Sequence, residues 1–350
     1  MTLRSPTGEW LRLGKDGRLS AYVQEAEGVV RWTETRPGGP HWTGPDPVPA
    51  PGLRHVTVAQ GPDGYVHLLG LRRNPLADGE VEADIVHATQ YQPGRPFTAW
   101  HSLGNPHAKS GDEARALSRP AAAVAGPGGA VHVFVRNAGH GVHLRRQGAD
   151  GKWQPWTDLG GRRVLDELTA VATAAGRVEL LARTHDGAAR WHQEDPSGDF
   201  IPCEDVAAHP AVGAVGALET GEDRLTYFWH EGDGDGIVAH RPGTDPVRLG
   251  GSPTAGPAAA LRAPIDGHDC TVLAHRGKNG RPMLAAWPTE DESAGVWWTE
   301  TGEECVGPPA LALDAAGRVV LAAVGLDGGL RVARQKTTEP GLALAAWSRV

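Results

Sequence analysis

Two series of positions, most of them occupied by Arg, His or Asp, recur along this chain at a nearly constant spacing. The first series reads Arg54, Arg119, Asp166 and His209. Arginine guanidinium groups bind carboxylates and phosphates through paired hydrogen bonds, whereas Asp and His can exchange protons. If the fold brings these positions together, they form a polar ring suited to one anionic ligand.

Each member of the second series lies part of a repeat after the corresponding member of the first series. Its members are Gln24, Leu71, Arg136, Arg183, His230, His275 and Val324. With Arg119 and Arg136 as an anion clamp, a lyase or cyclase would use His209 or His230 as its base, and Asp166 is the remaining catalytic candidate. Whether the chain is an enzyme stays open, because polar side chains at strand ends also satisfy loop carbonyls.

Tryptophan gives a third set of candidate ligand contacts. Twelve Trp residues accompany only four Phe and four Tyr. Trp191 and Trp287, together with Trp32, fall in or near the third strand of their repeats, where an indole face could stack on a sugar ring. The alternative is that a large aromatic side chain fills the wedge between neighbouring sheets, which is the commoner use.

The sequence gives little support for other kinds of active site. The sixteen His and the cysteines Cys203, Cys270 and Cys305 lack metal-ligand or redox-pair spacing, so we predict no metal, no cofactor and no disulfide framework. No Gly-x-Ser-x-Gly motif occurs, and the repeated Asp-box turns of sialidases are absent. A glycosidase needs two carboxylates, for which Asp166 with Asp112 or Glu113 is the available choice.

Charge and hydropathy limit the partners. The formal net charge is −8, and no stripe of five or more Lys and Arg occurs, which argues against nucleic acid as a partner. No apolar run has the length of a membrane span or of a secretion signal, so we expect no membrane contact and a cytoplasmic protein. A small molecule or a carbohydrate is the expected ligand, and the oligomeric state is unknown.

An internal repeat supplies the elements that must position these residues. Short β-like runs led by Gly recur at the anchors Leu19, Val66, Val131, Val178, Leu225, Cys270 and Val319. The anchors lie 45 to 49 residues apart, except for a step of 65 after the second. Each unit contains four short runs separated by turns, and the 48 Gly and 28 Pro exclude helical repeats.

This pattern predicts an all-β protein, a seven-bladed β-propeller of four-stranded antiparallel blades, forming one domain over residues 1–350. The predicted blades are approximately 1–52, 53–116, 117–163, 164–207, 208–253, 254–304 and 305–350. Because the first unit starts at its inner strand and the last ends at its outer strand, we expect the ring to close without exchanging a strand.

The second repeat is longer than the others by about 18 residues, in two inserts that we expect on the ligand-binding face. The first insert, Asn74 to Asp84, lies between strands two and three. The second, Asn105 to Ser118, leads into the next inner strand, and its side chains His107, Lys109, Asp112, Glu113 and Arg115 are predicted to reach over the channel mouth. The alternative is a tolerated surface insertion, since loop length costs little stability.

One repeat resembles a known family. Pro120-Ala121-Ala122-Ala123, then Val133-Phe134-Val135-Arg136, then Trp153-Gln154-Pro155-Trp156-Thr157-Asp158-Leu159-Gly160-Gly161 is similar to the repeat of seven-bladed bacterial fucose-binding lectins of the Photorhabdus lectin type. The other repeats match in parts, as at His101-Ser102-Leu103-Gly104. The resemblance implies a propeller over nearly the whole chain and sugar pockets between blades.

Three functions follow from these observations. The first is a carbohydrate-binding, fucose-lectin-like propeller whose ligand site lies on the face bearing the blade-2 insertions. The second is a cytoplasmic enzyme of lyase, cyclase or hydrolase type, acting on an anionic small molecule at the channel mouth. The third is a protein-interaction scaffold, since a fold does not by itself imply a function.

Overall fold

Seven four-stranded antiparallel sheets make up the computed structural model. It describes residues 9–77, 79–107, 111–203, 206, 210–211, 215–230, 236–254 and 256–350. The four strands of each sheet are consecutive in the chain, and neighbouring strands in the sequence are neighbours in the sheet. The prediction of an all-β seven-bladed propeller is confirmed.

The strands of the first four blades are short and run in order from the inner to the outer edge of each sheet. Blade 1 contains β1 (Leu11–Leu13), β2 (Leu19–Glu25), β3 (Gly28–Glu34) and β4 (Trp42–Pro49). Blade 2 contains β5 (Leu53–Gln60), β6 (Val66–Pro75), β7 (Val81–Gln90) and β8 (His101–Gly104). Blade 3 contains β9 (Ala121–Ala125), β10 (Ala130–Arg136), β11 (Val142–Arg146) and β12 (Thr157–Gly160). Blade 4 contains β13 (Val164–Ala172), β14 (Val178–Thr184), β15 (Ala188–Gln193) and β16 (Phe200–Pro202).

The remaining three blades follow the same order. Blade 5 contains β17 (Gly216–Gly221), β18 (Arg224–His230), β19 (Ile237–His240) and β20 (Val247–Gly250). Blade 6 contains β21 (Ala259–Ile265), β22 (His268–Arg276), β23 (Pro282–Pro288) and β24 (Thr299–Glu300). Blade 7 contains β25 (Ala310–Leu313), β26 (Val319–Val324), β27 (Leu330–Arg334) and β28 (Ser348–Arg349). In the described ranges helix is limited to α1 (Asp112–Arg115) and a 3-10 turn at Glu292–Ala294, and no helix is long and apolar enough to span a membrane.

The hydrophobic core is divided among the spaces between blades. Successive side chains of a strand point to opposite faces of its sheet, so each blade contributes apolar residues to two neighbouring spaces. Phe134 of blade 3, for example, packs with Val178 and Leu180 of blade 4, and its ring meets that of Phe200 edge-on at 5.3 Å. Stability therefore depends on contacts between neighbouring sheets around the ring.

The ring closes through side chains of blades 1 and 7. Trp10 donates its indole N–H to the carbonyl of Pro308 at 3.3 Å. The fully buried carboxylate of Glu34 pairs with Arg334 at 2.5 Å and accepts the backbone N–H of Leu19 at 2.9 Å. Because every sheet is built from consecutive strands, closure uses these contacts and no exchanged strand.

Candidate functional site

A central channel with a cavity of about 500 Å³ runs between the inner strands of the blades. Arg119 and Glu167 line the channel at the end where the inner strands begin. This end is the channel mouth predicted from the first polar series. Of that series, Arg54 is exposed and does not line the cavity, and His209 lies outside the described residues.

The charged groups at the mouth are paired with one another. Arg136 Nη2 lies 2.6 Å from Asp166 Oδ1. The carboxylate of Glu167 is shared, with Oε1 at 3.8 Å from Arg119 Nη2 and Oε2 at 3.4 Å from Arg183 Nε. The sequence-based prediction omitted Glu167, although its position directly after Asp166 in an inner strand was a usable signal. The predicted anion clamp thus already contains two carboxylates.

The second polar series serves mainly to join neighbouring blades. Gln24 donates to the carbonyl of Arg54 at 2.8 Å, and Arg183 donates to that of Pro210 at 3.2 Å. Arg276 donates to the carbonyl of Cys305 at 2.8 Å. In each case the acceptor precedes or begins the inner strand of the next blade, which agrees with the alternative that these side chains satisfy loop carbonyls.

His275 does not belong to this series, and its placement there is corrected. The bridges Pro253–Gly277 and Cys305–Gly325 show that Arg276 occupies the position equivalent to Val324. The reason lies in the first hairpin of blade 6. This hairpin turns through only Asp266 and Gly267, both at positive φ, so β22 begins at His268, before the anchor Cys270. A shift of one residue moves a side chain to the opposite face of a strand.

His275 consequently lies between blades 5 and 6. Its side chain is 2% exposed and packs against Trp298 with ring centroids 4.6 Å apart. Burial lowers the pKa of His275, and the nearby His230 acts in the same direction. His230, a predicted base, is half-buried and ends β18 beside this interface.

The tryptophans predicted as sugar platforms are interior residues. Trp191 and Trp287 are each 2% exposed, and Trp32 is 3% exposed. Each belongs to a hydrophobic cluster between blades. In these positions no indole face is open to a ligand, so their arrangement matches the alternative of blade-to-blade packing.

A recurring indole hydrogen bond explains the Trp and Leu-Gly parts of the repeat. Trp156 of blade 3 donates to the carbonyl of Leu103 in blade 2 at 3.0 Å. Trp298 of blade 6 donates in the same way to Leu249 of blade 5 at 2.9 Å. The Trp of one repeat therefore bonds to the Leu-Gly segment of the neighbouring repeat. Trp100, Trp191 and Trp347 make comparable contacts across their interfaces.

The second glycine of the Gly-Gly pair gives the indole its space. Gly161 has φ of +99°, and a Cβ there would lie 3.0 Å from the ring of Trp191. Gly251 has φ of +84°, and a Cβ would lie 3.0 Å from His275 Nε2. Both the left-handed backbone and the close approach favour glycine.

The two inserts of blade 2 differ in structure. The first lengthens the hairpin of β6 and β7, which stay paired as far as Pro75 and Val81. The second contains α1, whose Ala114, with the following Leu117, is buried in the apolar cluster between blades 2 and 3. Among the described residues neither insert lines the channel, although the end of the second contacts the mouth, since Arg136 donates to the carbonyl of Ala116 at 2.9 Å. Lys109 lies outside the described residues.

The second insert instead brings His107 to the surface between blades 2 and 3. The ring of His107 lies 5.5 Å from that of His143 on β11. His143 pairs across the strands with Asp158 on β12, and its Nδ1 lies 2.9 Å from the amide nitrogen of Asn137. We call His107, His143, Arg145, Trp156 and Asp158 the blade 2–3 cluster.

Arg145 and Trp156 complete the blade 2–3 cluster on the same face of blade 3. Arg145 lies two residues after His143, and Trp156 two residues before Asp158, so all four side chains project from one side of the sheet. Arg145 donates to the carbonyls of Leu103 and Gln154, the latter at 2.9 Å. Trp156 remains half-buried, unlike the interior Trp191.

The histidines of the cluster are held by defined hydrogen bonds. His107 Nε2 accepts the backbone N–H of Ala138 at 3.2 Å, so its other nitrogen carries the proton and faces Glu113 at 3.8 Å. Partial burial lowers the pKa of His143, Asp158 raises it and His107 lowers it. His143 is therefore mostly neutral near pH 7, a state that can both donate and accept a hydrogen bond.

This combination of side chains occurs at one place in the described part of the ring. The described cross-strand pairs equivalent to His143 and Asp158 are Val30 with Pro47, Val86 with Ser102, Val238 with Arg248, Met283 with Glu300 and Arg331 with Arg349. None of them joins a histidine to a carboxylate. In the same ranges, no three His, Cys, Asp or Glu side chains gather to hold a metal ion.

Sequence comparison gives no relative for this chain. No protein-family model matches it, and no curated protein matches it either. Comparison with solved structures therefore rests on the architecture alone.

Solved structures of similar fold include two lectins and a sialidase. The BP39L lectin from Burkholderia pseudomallei superposes with a TM-score of 0.70 at 12% identity, covering 99% of this chain and 100% of that one. The SapL1 lectin, solved with alpha methyl fucoside, gives 0.50 at 15% identity over 99% and 96%. The Hadza microbial sialidase Hz136 gives 0.52 at 13% identity over 95% and 73%. At these identities the likeness concerns the fold.

Proposed function

We propose that this propeller binds carbohydrate, as a lectin-like protein, and that its principal site is the blade 2–3 cluster. The observation that carries the proposal is the grouping of a half-buried Trp156 with Arg145, His143 and Asp158 on one pair of strands. Two proteins that share the fold over almost their whole length are lectins, and one of them was solved with alpha methyl fucoside.

The chemistry of the cluster suits a sugar ring. An indole offers an apolar surface to the C–H groups of a pyranose. A carboxylate can accept hydrogen bonds from two neighbouring hydroxyls, while a neutral imidazole and a guanidinium supply donors. Because His143 and Asp158 face each other across the strands, their polar atoms address adjacent positions of one ligand.

Catalysis receives less support than binding. Of the proposed acid and base residues, Asp166 is engaged by Arg136 at 2.6 Å, and His209 lies outside the described residues. We therefore propose a binding protein with a carbohydrate ligand of the fucose type, and a cytoplasmic location remains a prediction.

Titration with α-methyl fucoside tests the proposal. Asp158→Asn removes the charge without changing the size of the side chain, and we expect affinity to fall about tenfold or more because hydrogen bonds to a charged group are lost. The matched control is Glu300→Gln, at the equivalent position of blade 6, which should bind like the wild type. Equal affinity in wild type and Asp158→Asn would refute this site, and no binding of any glycan on an array would refute the function.

A further inference from the structure

The central channel is a second concave site, separate from the blade 2–3 cluster. Its cavity of about 500 Å³ falls in the range of pockets that hold small molecules, roughly 300 to 1,000 Å³. The wall is formed by the inner strands of successive blades, including Ala122, Ala170, Ala217 and Ala259. No residue of the blade 2–3 cluster contributes to it.

The inner strands contain small residues that leave the channel open, although such residues have low strand propensity. Strands favour β-branched and aromatic residues, whereas alanine and glycine are depleted in them. Here β9 reads Ala-Ala-Ala-Val-Ala, and β17 begins Gly-Ala. Small side chains at these positions leave an apolar lumen that larger residues would fill.

Among the described ion pairs at the mouth, three arginines, Arg119, Arg136 and Arg183, meet two carboxylates, Asp166 and Glu167. Glu167 is shared by Arg119 and Arg183, while Arg136 pairs with Asp166 and also donates to the carbonyl of Ala116. Arg183 also donates to a backbone carbonyl, so it is fixed in place. The contact of Arg119 with Glu167 is loose at 3.8 Å, and its side chain is 26% exposed and lines the cavity.

The other end of the lumen has the opposite character. Glu219 lines the cavity there and accepts the backbone N–H groups of Ala174 at 2.6 Å and Asp223 at 3.0 Å. Arg12 and Glu9 also line the cavity and pair with each other, with Glu9 just before β1. An anion entering the lumen is therefore attracted toward Arg119 and repelled from Glu219.

We propose that the channel binds a small organic anion, with its apolar body in the alanine-lined lumen and its carboxylate, sulfonate or phosphate on Arg119. Guanidinium groups recognise such anions through paired hydrogen bonds, and burial in an apolar lumen strengthens them.

A fluorescent apolar sulfonate, 1-anilinonaphthalene-8-sulfonate, is a suitable probe. We expect one probe per chain, with affinity reduced about tenfold or more in Arg119→Met. The control Arg54→Met removes an exposed charge on the same face that does not line the cavity, and it should bind as the wild type does. Glu167 keeps Arg183 as a partner in Arg119→Met, so the fold should persist, as thermal unfolding would show.

Two further variants distinguish binding in the channel from binding at the blade 2–3 cluster. Ala122→Phe should narrow the lumen and lower probe affinity, whereas Asp158→Asn should leave it unchanged, so that failure of this proposal is distinct from failure of the carbohydrate site. The neutral analogue N-phenyl-1-naphthylamine should bind wild type and Arg119→Met equally. Unchanged sulfonate affinity in Arg119→Met, or an equal loss in Arg54→Met, would overturn the proposal.

Discussion

Of the buried histidines, three have a pKa that burial lowers by two units or more, and their ionisation links folding to pH. Burial lowers the pKa of His67 to about 4, that of His87 to about 3 and that of His132 to about 4. His67 Nδ1 and His87 Nε2 lie 2.9 Å apart, and the hydroxyl of Thr89 lies beside both. All three imidazoles are therefore neutral in the folded protein at pH 7.

The lowered pKa values of these histidines decide how the stability of the fold changes with pH. The unfolded chain binds protons near the ordinary His pKa of 6.5, before the folded protein does, so stability is complete above about pH 6.5 and is lost as the pH falls toward 4. For His132 alone the loss is about 2 kcal/mol at pH 5.

Replacement of His132 tests this link. His132→Phe places an apolar ring beside Phe200, whose ring lies 6.1 Å from that of His132, and should flatten the pH dependence of unfolding. Urea unfolding at pH 7.5 and pH 5 should show a smaller difference in the variant than in the wild type, by about 2 kcal/mol. An unchanged difference would mean that His132 titrates normally in the folded protein.

The sequence identified which positions at the mouth are polar but could not identify their partners. Of the residues that the repeat assigned to the mouth, Arg119 lines the channel, and Arg136 and Asp166 meet in an ion pair. Their pairing depends on side chains of neighbouring blades, as with Glu167, and on distances that spacing does not contain. The blade 2–3 cluster was missed for the same reason, since its members come from an insert and from two strands.

At the scale of the strand and its turn, the Gly-Gly pair offers a direct comparison. Gly160 and Gly161 both have positive φ, at +72° and +99°. A Cβ at Gly160 would meet nothing within 4 Å, whereas one at Gly161 would press on the ring of Trp191. The pair therefore separates backbone strain from packing between blades.

We expect Gly160→Ala to lower the free energy of unfolding by about 1 kcal/mol, through backbone strain alone. Gly161→Ala should cost about 1 to 3 kcal/mol more, because the indole of Trp191 must move. Chemical denaturation of the two variants measures the difference. Equal losses would show that the close contact with Trp191 has no energetic consequence.

The order of strands was predictable because turn residues and short apolar runs recur in every repeat. The register of blade 6 was not. Its Asp266-Gly267 turn allows β22 to start at His268, two residues before the anchor Cys270, and the resulting shift moved His275 to the other face. An anchor chosen by similarity of residue type cannot detect such a change when a strand is apolar on both faces.

At the scale of the whole molecule, the seven blades share a scaffold and differ in their side chains. Indole-to-carbonyl bonds and Arg or Gln contacts to the next blade hold the ring together. Among the described residues, the polar side chains that we propose as a sugar site lie between blades 2 and 3, beside the insert of blade 2. A symmetric fold therefore supports an asymmetric distribution of candidate sites.

Isothermal titration calorimetry with α-methyl fucoside tests the central claim most directly. Because the described equivalents of His143 and Asp158 in other blades lack the same chemistry, we expect about one sugar per chain, and its binding should be weakened in Asp158→Asn. Several equal sugars per chain, unaffected by Asp158→Asn, would contradict a single site between blades 2 and 3.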